Sequence, residues 1–380
     1  MSYNKLHVVT VVGTRPEIIR LSRVISRLNE SSTIKHTLIH TGQNYDYNLN
    51  EVFFKELEIK KPDIFLECAS GNASETIGNI LIKIDPVLDK LKPDSFLVLG
   101  DTNSCLSAIV AKKKKIPIFH MEAGNRCFDQ NVPEETNRKI VDHISDINLP
   151  YSSIARDYLL REGIMPDRII KTGSPMAEVL SFYSKKINNS KILFELSLKK
   201  EQYIVVSSHR EENVDTLPRL EELINSLNAL IEKYRYPVVF STHPRTRKQL
   251  EKIKIKPSNK IQFMDPLGFI DYICLQKNGF VVLSDSGTIS EESSILNFNA
   301  LNIRSSHERP EAMEETSVIM TDINRNRILQ GVESLSVKKE NSRDFNLVED
   351  YKNLNVSNKI ERIIISYTDY INNNVWKKEY

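Results

Sequence analysis

The chain has 380 residues, with Lys+Arg 52 against Asp+Glu 50 and a formal net charge of +2. That length exceeds one comfortable hydrophobic core and predicts two domains, and the near-neutral balance argues against a nucleic-acid surface or an acidic tail. The four cysteines (Cys68, Cys105, Cys127, Cys274) are scattered without ligand spacing, which argues against a disulfide framework or zinc site and fits a reducing cytoplasm. No apolar run reaches the roughly 18 residues of a spanning helix, and the polar Met-Ser-Tyr-Asn-Lys start is not read as a signal peptide.

Residues 7–12 form an apolar run of buried-strand character, broken at Gly13-Thr14-Arg15-Pro16-Glu17. Ile18, Leu21, Val24, Ile25 and Leu28 then recur at helical spacing. Pro16 suits a helix start, whose open N–H groups make an anion site, and Arg15 adds a planar charge suited to phosphate. An ordinary βα turn with a solvated Arg is the plainer alternative. Residues 37–40 predict the next strand, ending in a polar, aromatic loop around Tyr45. An amphipathic helix is predicted over 85–95.

The stretch 97–138 organises the rest. Apolar runs 96–99 and 116–119 each end on an acidic turn, Gly100-Asp101-Thr102 and Met121-Glu122-Ala123-Gly124, with a covering helix over 105–111. In such a β-α-β unit ligands sit beyond the carboxyl ends of the strands, so Asp101 and Glu122 are expected in one crevice. Pro133-Glu134-Glu135 starts another helix and adds a third acid. Converging carboxylates suggest acid/base chemistry on a neutral or anionic substrate. The Lys run at 112–115 reads as a solvated helix end, and a further strand is expected over 146–149.

Residues 180–200 are polar and without strand pattern, so the domain junction is placed there, with 1–180 plus 360–380 as one domain and 181–359 as the other. The alternation then restarts. A strand over 203–206 ends at Ser207-Ser208-His209-Arg210, strands follow over 237–240 and 280–283, and the third ends at Ser284-Asp285-Ser286-Gly287-Thr288 before a helix over 289–296. A last helix is expected over 356–376. Ser286-Gly287-Thr288 is a second anion cradle, and Glu292 could accept hydrogen bonds from sugar hydroxyls, although acids in a first helical turn also simply complement the macrodipole. His209 and Arg210 could bind phosphate or exchange a proton. Phe269 and Tyr272 offer stacking faces for a base. Neither GxxxxGK[ST] nor a strand-borne GxGxxG occurs, so a P-loop and a nicotinamide site lack support. A nucleotide-sugar would satisfy every motif: diphosphate on the cradles, ribose on an acid, sugar facing the carboxylates.

Gly13-Thr14-Arg15-Pro16-Glu17, Gly100-Asp101-Thr102, Glu122-Ala123-Gly124, Pro133-Glu134-Glu135-x-Asn137-Arg138, His209-Arg210-x-Glu212, Asp285-Ser286-Gly287 with Glu291-Glu292, and Glu308-Arg309-Pro310-Glu311 together resemble the non-hydrolysing UDP-N-acetylglucosamine 2-epimerase family, over about residues 7–330. The resemblance implies an α/β, GT-B-like fold: two Rossmann-type doubly wound parallel-sheet domains facing an interdomain cleft, the last helix returning to the first domain. It also implies a homodimer acting on a UDP-sugar; with the charge balance and hydropathy above, a cytoplasmic protein with no cofactor, metal, nucleic-acid or membrane partner is expected. Asn125-Arg126-Cys127-Phe128-Asp129, Ser286-Gly287-Thr288 and Arg304-Ser305-Ser306-His307 resemble the branch that converts UDP-2-acetamido-2,6-dideoxy-L-talose to UDP-N-acetyl-L-fucosamine for surface polysaccharide. The UDP-GlcNAc/UDP-ManNAc epimerase is the runner-up. A GT-B glycosyltransferase and a nucleotide-sugar-binding regulatory protein are the more distant alternatives.

On this reading Asp101 and Glu134 are the acid/base pair, assisted by Glu122 and His209. Arg15, His209, Arg210, Tyr272, Ser286, Gly287 and Glu292 bind UDP, and Arg138 and Arg309 position the substrate. Burial and mutual repulsion are expected to raise at least one carboxyl pKa.

Overall fold

The computed structural model describes residues 4–43, 53–208, 210–214, 216–242, 244–336, 343 and 345–378. It divides into two compact units, Met1–Phe182 with Lys352–Tyr380, and Tyr183–Tyr351.

In the first unit, β1 (Leu6–Val12), β2 (Ile34–His40), β3 (Ile64–Phe65), β4 (Ser95–Leu99), β5 (Ile118–Met121) and β6 (Ile147–Leu149) form one six-stranded parallel sheet in the order β3-β2-β1-β4-β5-β6. Val8, Val9, Val11 and Val12 are all buried, as a parallel strand covered on both faces requires. The first helix, Arg15–Glu30, buries Ile18, Leu21, Val24, Ile25 and Leu28, the positions its spacing predicts. Ile80, Ile84 and Leu88 of the helix Ala73–Leu91 pack with Val9, Val11, Phe96 and Val98.

That helix corrects the expectation of one over 85–95. It starts at an Asn72 N-cap that accepts from the Glu75 amide, passes through Pro86, and ends on Lys92 in the left-handed region. Pro86 reads as a breaker because it cannot donate to the carbonyl one turn back. Pro86 and Ile82 lie on the exposed face, where water can satisfy that carbonyl. The expected helix over 105–111 begins as a 3-10 turn, Asn103–Ser107, and becomes α-helical only over Ala108–Lys113. The junction stretch is also largely helical, with Met176–Asn188 and Ile192–Glu195.

The second unit repeats the plan. Its strands are β7 (Ile204–Ser207), β8 (Val238–Ser241), β9 (Ile261–Met264), β10 (Val281–Ser284), β11 (Ala300–Asn302) and β12 (Ile319–Met320), all parallel, in the order β12-β11-β10-β7-β8-β9. The last helix, Val356–Asn374, belongs to the first unit, where Glu361 accepts from Arg27 Nε at 2.5 Å. In each sheet the strand order reverses between two central neighbours, β1 and β4 or β7 and β10. Open parallel sheets bind ligands at that switch point. Among the described residues no helix is long and apolar enough to cross a membrane.

Candidate active site

The turn after β1 is built around a glycine and a buried acid. A Cβ on Gly13 would lie 1.8 Å from Ser104 Oγ and 2.3 Å from Thr41 Oγ1, so only glycine fits. Thr14 is the N-cap of Arg15–Glu30 and Glu17 its third residue, the spacing of a capping box. The Glu17 carboxylate accepts from the Gly13 amide at 3.0 Å and the Thr14 hydroxyl at 2.7 Å through Oε2, and from the Thr102 hydroxyl at 3.1 Å through Oε1. The Gly13 amide of this cradle is thus engaged by the chain's own Glu17 carboxyl. Burial pushes the Glu17 carboxyl up to about 7, against the opposing hydrogen bonds from Thr14, Gly13 and Thr102. Arg15 stays exposed, with its guanidinium carbon 5.4 Å from the centroid of the Phe53 ring.

The turn after β4 presents Asp101. Gly100 adopts φ +79 and its amide bonds to Met121 O on β5 at 2.9 Å, which fixes where Asp101 emerges. Arg138 Nε donates to Asp101 Oδ2 at 2.9 Å, Arg138 Nη2 reaches the same oxygen, and Asn137 Nδ2 donates to Asp101 O at 3.0 Å. Arg138 is itself buried, and its Nη1 donates to Glu135 Oε2 at 2.7 Å. Both come from the helix Pro133–Ile144, whose proline occupies the first position as the sequence predicts. Glu134 sits half-buried in its first turn. Residues four apart share a helix face, so Glu134 and Arg138 are neighbours.

Glu122, just after β5, adopts φ +65, a conformation a non-glycine residue holds only where its surroundings enforce it. Its carboxylate pairs with Arg20, and both side chains are buried. Gly124 follows at φ +81, where a Cβ would lie 2.4 Å from Ala155 O. Behind these turns runs a buried charge chain. His120 Nε2 lies 2.7 Å from Gly100 O and its Nδ1 2.9 Å from Asp142 Oδ1, while Arg126 bridges Asp142 at 2.7 Å and Glu162 at 2.6 and 2.8 Å. Burial pushes the Asp142 carboxyl up, but the hydrogen bonds and charges of His120 and Arg126 outweigh it and hold the group below its ordinary value.

In the second unit the equivalent edge carries Arg210, Asp285, Ser286 and Gly287. Asp285 is buried and accepts from Ser208 Oγ at 2.9 Å, the Arg210 amide at 3.1 Å and Asn213 Nδ2 at 3.0 Å, joining the turns after β7 and β10. Ser286 Oγ lies 3.0 Å from Thr288 Oγ1, and a Cβ on Gly287 would meet nothing closer than 3.9 Å, so the backbone there is approachable. Glu292, in the helix Ile289–Leu296, is buried and accepts from Gln276 Nε2 at 2.8 Å. Tyr272 is half-buried in the helix Phe269–Asn278, and burial pushes its hydroxyl pKa up. Arg309 is buried with Nη2 3.5 Å from Glu291 Oε2. His209 and the loop around Tyr45 lie outside the described residues.

A family model for UDP-N-acetylglucosamine 2-epimerase matches residues 26–365. The chain belongs to the UDP-N-acetylglucosamine 2-epimerase family. It is 39% identical over 339 residues to the UDP-N-acetylglucosamine 2-epimerase of Methanocaldococcus jannaschii, covering 87% of this chain and 92% of that one. It is 35% identical over 291 residues to the UDP-2,3-diacetamido-2,3-dideoxy-D-glucuronate 2-epimerase of Pseudomonas aeruginosa, covering 76% and 80%. A solved structure of UDP-N-acetylglucosamine 2-epimerase from Rickettsia bellii matches with a TM-score of 0.91 at 52% identity, covering 99% of this chain and all of that one. As a family member the chain is an isomerase, and its paired six-stranded parallel sheets are the GT-B-like fold of these structures.

Of the residues singled out in the sequence, the structure joins Asp101 directly to Arg138, and Arg210 to Asp285 through the backbone. The sequence reading assigns no site role to Arg20, Glu17 or Glu135, although Glu17 and Glu135 stand inside its motifs. Arg20 and Glu17 sit on the buried face of an otherwise apolar helix stripe, and a charge at such a position was the available signal. Thr14-x-x-Glu17 also has capping-box spacing. Among the acids of the first unit, the carboxyl whose pKa burial raises to about 7 is Glu17, which the sequence reading did not place in the site.

Proposed function

We propose that the protein inverts C2 of a UDP-2-acetamido sugar by eliminating UDP to a 2-acetamidoglycal and adding it back. The C2–H has no adjacent ring carbonyl, so direct deprotonation to a carbanion is too costly. Breaking C1–O while the C2 proton leaves shares the charge. Re-addition of UDP with protonation from the opposite face inverts C2, which calls for acid/base groups on both faces of the sugar. The observation that carries this reading is Asp101 fixed by the buried Arg138, one helical turn from Glu134. Asp101 and Glu134 are the proposed pair, in either order, with Glu122 and His209 assisting and Arg138 and Arg309 positioning. Arg15, His209, Arg210, Tyr272, Ser286, Gly287 and Glu292 are the proposed UDP contacts. Arg and the helix starts can stabilise the departing diphosphate without a metal.

The proposed substrate is UDP-2-acetamido-2,6-dideoxy-L-talose, giving UDP-N-acetyl-L-fucosamine. A 6-deoxy sugar presents a methyl, and Phe128 offers an apolar face. It is 68% exposed at φ +55, edge-on to Tyr158 at 5.4 Å, in the loop that joins Glu122 to Glu134. The second reading, UDP-GlcNAc to UDP-ManNAc, is favoured by the names of the Methanocaldococcus and Rickettsia relatives. A pocket that only tolerates a missing hydroxyl discriminates by about 10–200-fold.

Turnover in D2O, followed by NMR with both UDP-sugars side by side, tests both levels. Deuterium should enter C2 with traces of glycal and UDP, and kcat/KM should favour the 6-deoxy-L-talose sugar. A higher value for UDP-GlcNAc would move the chain to the second reading. A C2 that stays protiated, with transfer only to an added acceptor, would make it a glycosyltransferase.

A further inference from the structure

We infer that Glu17 is a positioning residue for this reaction, its carboxylate locking the turn that presents Arg15 to the turn that presents Asp101. The inference rests on the C2-epimerase reading. β1 and β4 are neighbours at the switch point, but their paired register, Val8↔Ser95 to Thr10↔Leu97, ends three residues short of Gly13 and Gly100. Beyond it the strand ladder no longer fixes one turn against the other. Glu17 supplies the missing tie: Oε2 takes Gly13 and Thr14 from one turn, and Oε1 takes Thr102 from the other.

The contacts to Gly13 and Thr14 stay within the turn at the start of the helix. The reach to Thr102, 85 residues away in sequence, leaves that turn and fixes the residue next to Asp101. Asp101 is thereby steadied from two sides, by Arg138 through its carboxylate and by Glu17 through Thr102. Gly13, which admits no side chain, keeps the two turns close enough for a single carboxylate to span them. A proton-transfer group must sit within hydrogen-bond reach of the atom it serves, and a misplacement of about 1 Å can cost roughly 10²-fold in rate.

The test is kinetic, in the full chain. Thr102→Val removes the hydroxyl and should lower kcat by about ten- to a hundredfold with KM within a few-fold. Thr102→Ser keeps the hydroxyl and should restore most of kcat. Glu17→Gln should fall with Thr102→Val, and the double variant should be no worse than the worse single, because both break one tie. Thermal unfolding of each variant separates folding loss from kinetic loss, and Thr102→Val still decides the matter if Glu17→Gln does not fold. Wild-type kcat in folded Thr102→Val, or a Thr102→Ser variant as slow as Thr102→Val, would overturn the role while leaving wild-type C2 exchange in D2O intact. An absence of C2 exchange in the wild-type protein would overturn the epimerase reading and this role with it.

Discussion

Asp101→Asn and Glu134→Gln should each lower kcat by about two orders of magnitude or more and change KM much less. A positioned acid or base contributes roughly 10²–10⁴-fold, and a group that acts mainly in the transition state appears in kcat rather than in uniform binding. Arg138 sharpens the expectation for Asp101. Its guanidinium holds Asp101 Oδ2 through Nε at 2.9 Å and holds Glu135 through Nη1 at 2.7 Å. Replacing the carboxylate by an amide therefore removes the ionisable group and weakens the clamp that aims it. Glu134 makes no such contact among the described residues, so Glu134→Gln should leave thermal unfolding close to wild type while turnover collapses. The two variants then separate by stability but not by rate. Steady-state NMR kinetics on the epimerisation, with D2O exchange at C2 measured alongside, reads both. Near-wild-type turnover in either folded variant would remove that residue from the proposed pair.

The sequence discloses most of the fold because its buried strands are dense β-branched runs. Residues 8–12 are four valines around Thr10 and residues 280–283 are wholly apolar, and each run is followed by a turn and a periodic helix. What it does not disclose is short or internally compensated. β12 spans Ile319–Met320 alone, β11 spans three residues, and β9 alternates Ile261, Gln262, Phe263 and Met264 too briefly to outweigh its polar neighbours. Pro86 hides the earlier turns of its helix, since the exposed face that tolerates it is visible only in three dimensions. The candidate site is legible in its motifs and illegible in its pairings. Asp101, Glu122 and Glu134 announce themselves as acids after strands or at a helix start. That Arg20 answers Glu122, and that Glu17 closes over Thr102, depends on residues about 85–100 positions apart meeting at one sheet edge. No local spacing reports such a meeting.

Arg126→Met should destabilise the first unit by about 3–5 kcal/mol, the usual consequence of removing one partner from a buried ion pair. Arg126 and Asp142 are both buried, and Arg126 also ties Glu162. Methionine restores most of the packing volume but takes the Arg126 guanidinium from the Asp142 carboxylate, which keeps its contact to His120 Nδ1. The pH dependence follows from the direction of the Asp142 shift. Its folded carboxyl lies below the ordinary 3.8, so the folded state binds fewer protons there than the unfolded chain. Its stability is fully present above about 3.8 and is lost as pH falls through the folded value. Without Arg126 the carboxyl keeps its burial and loses an opposing charge, so its folded pKa rises and acid destabilisation begins at higher pH. The chain's single tryptophan, Trp376, lies in the first unit, so its fluorescence in urea titrations between about pH 3 and pH 7 follows that unit specifically. A midpoint unchanged at neutral pH, together with an acid limb that does not move, would mean that the Arg126–Asp142 pair contributes nothing net and that packing alone holds the loop after β5.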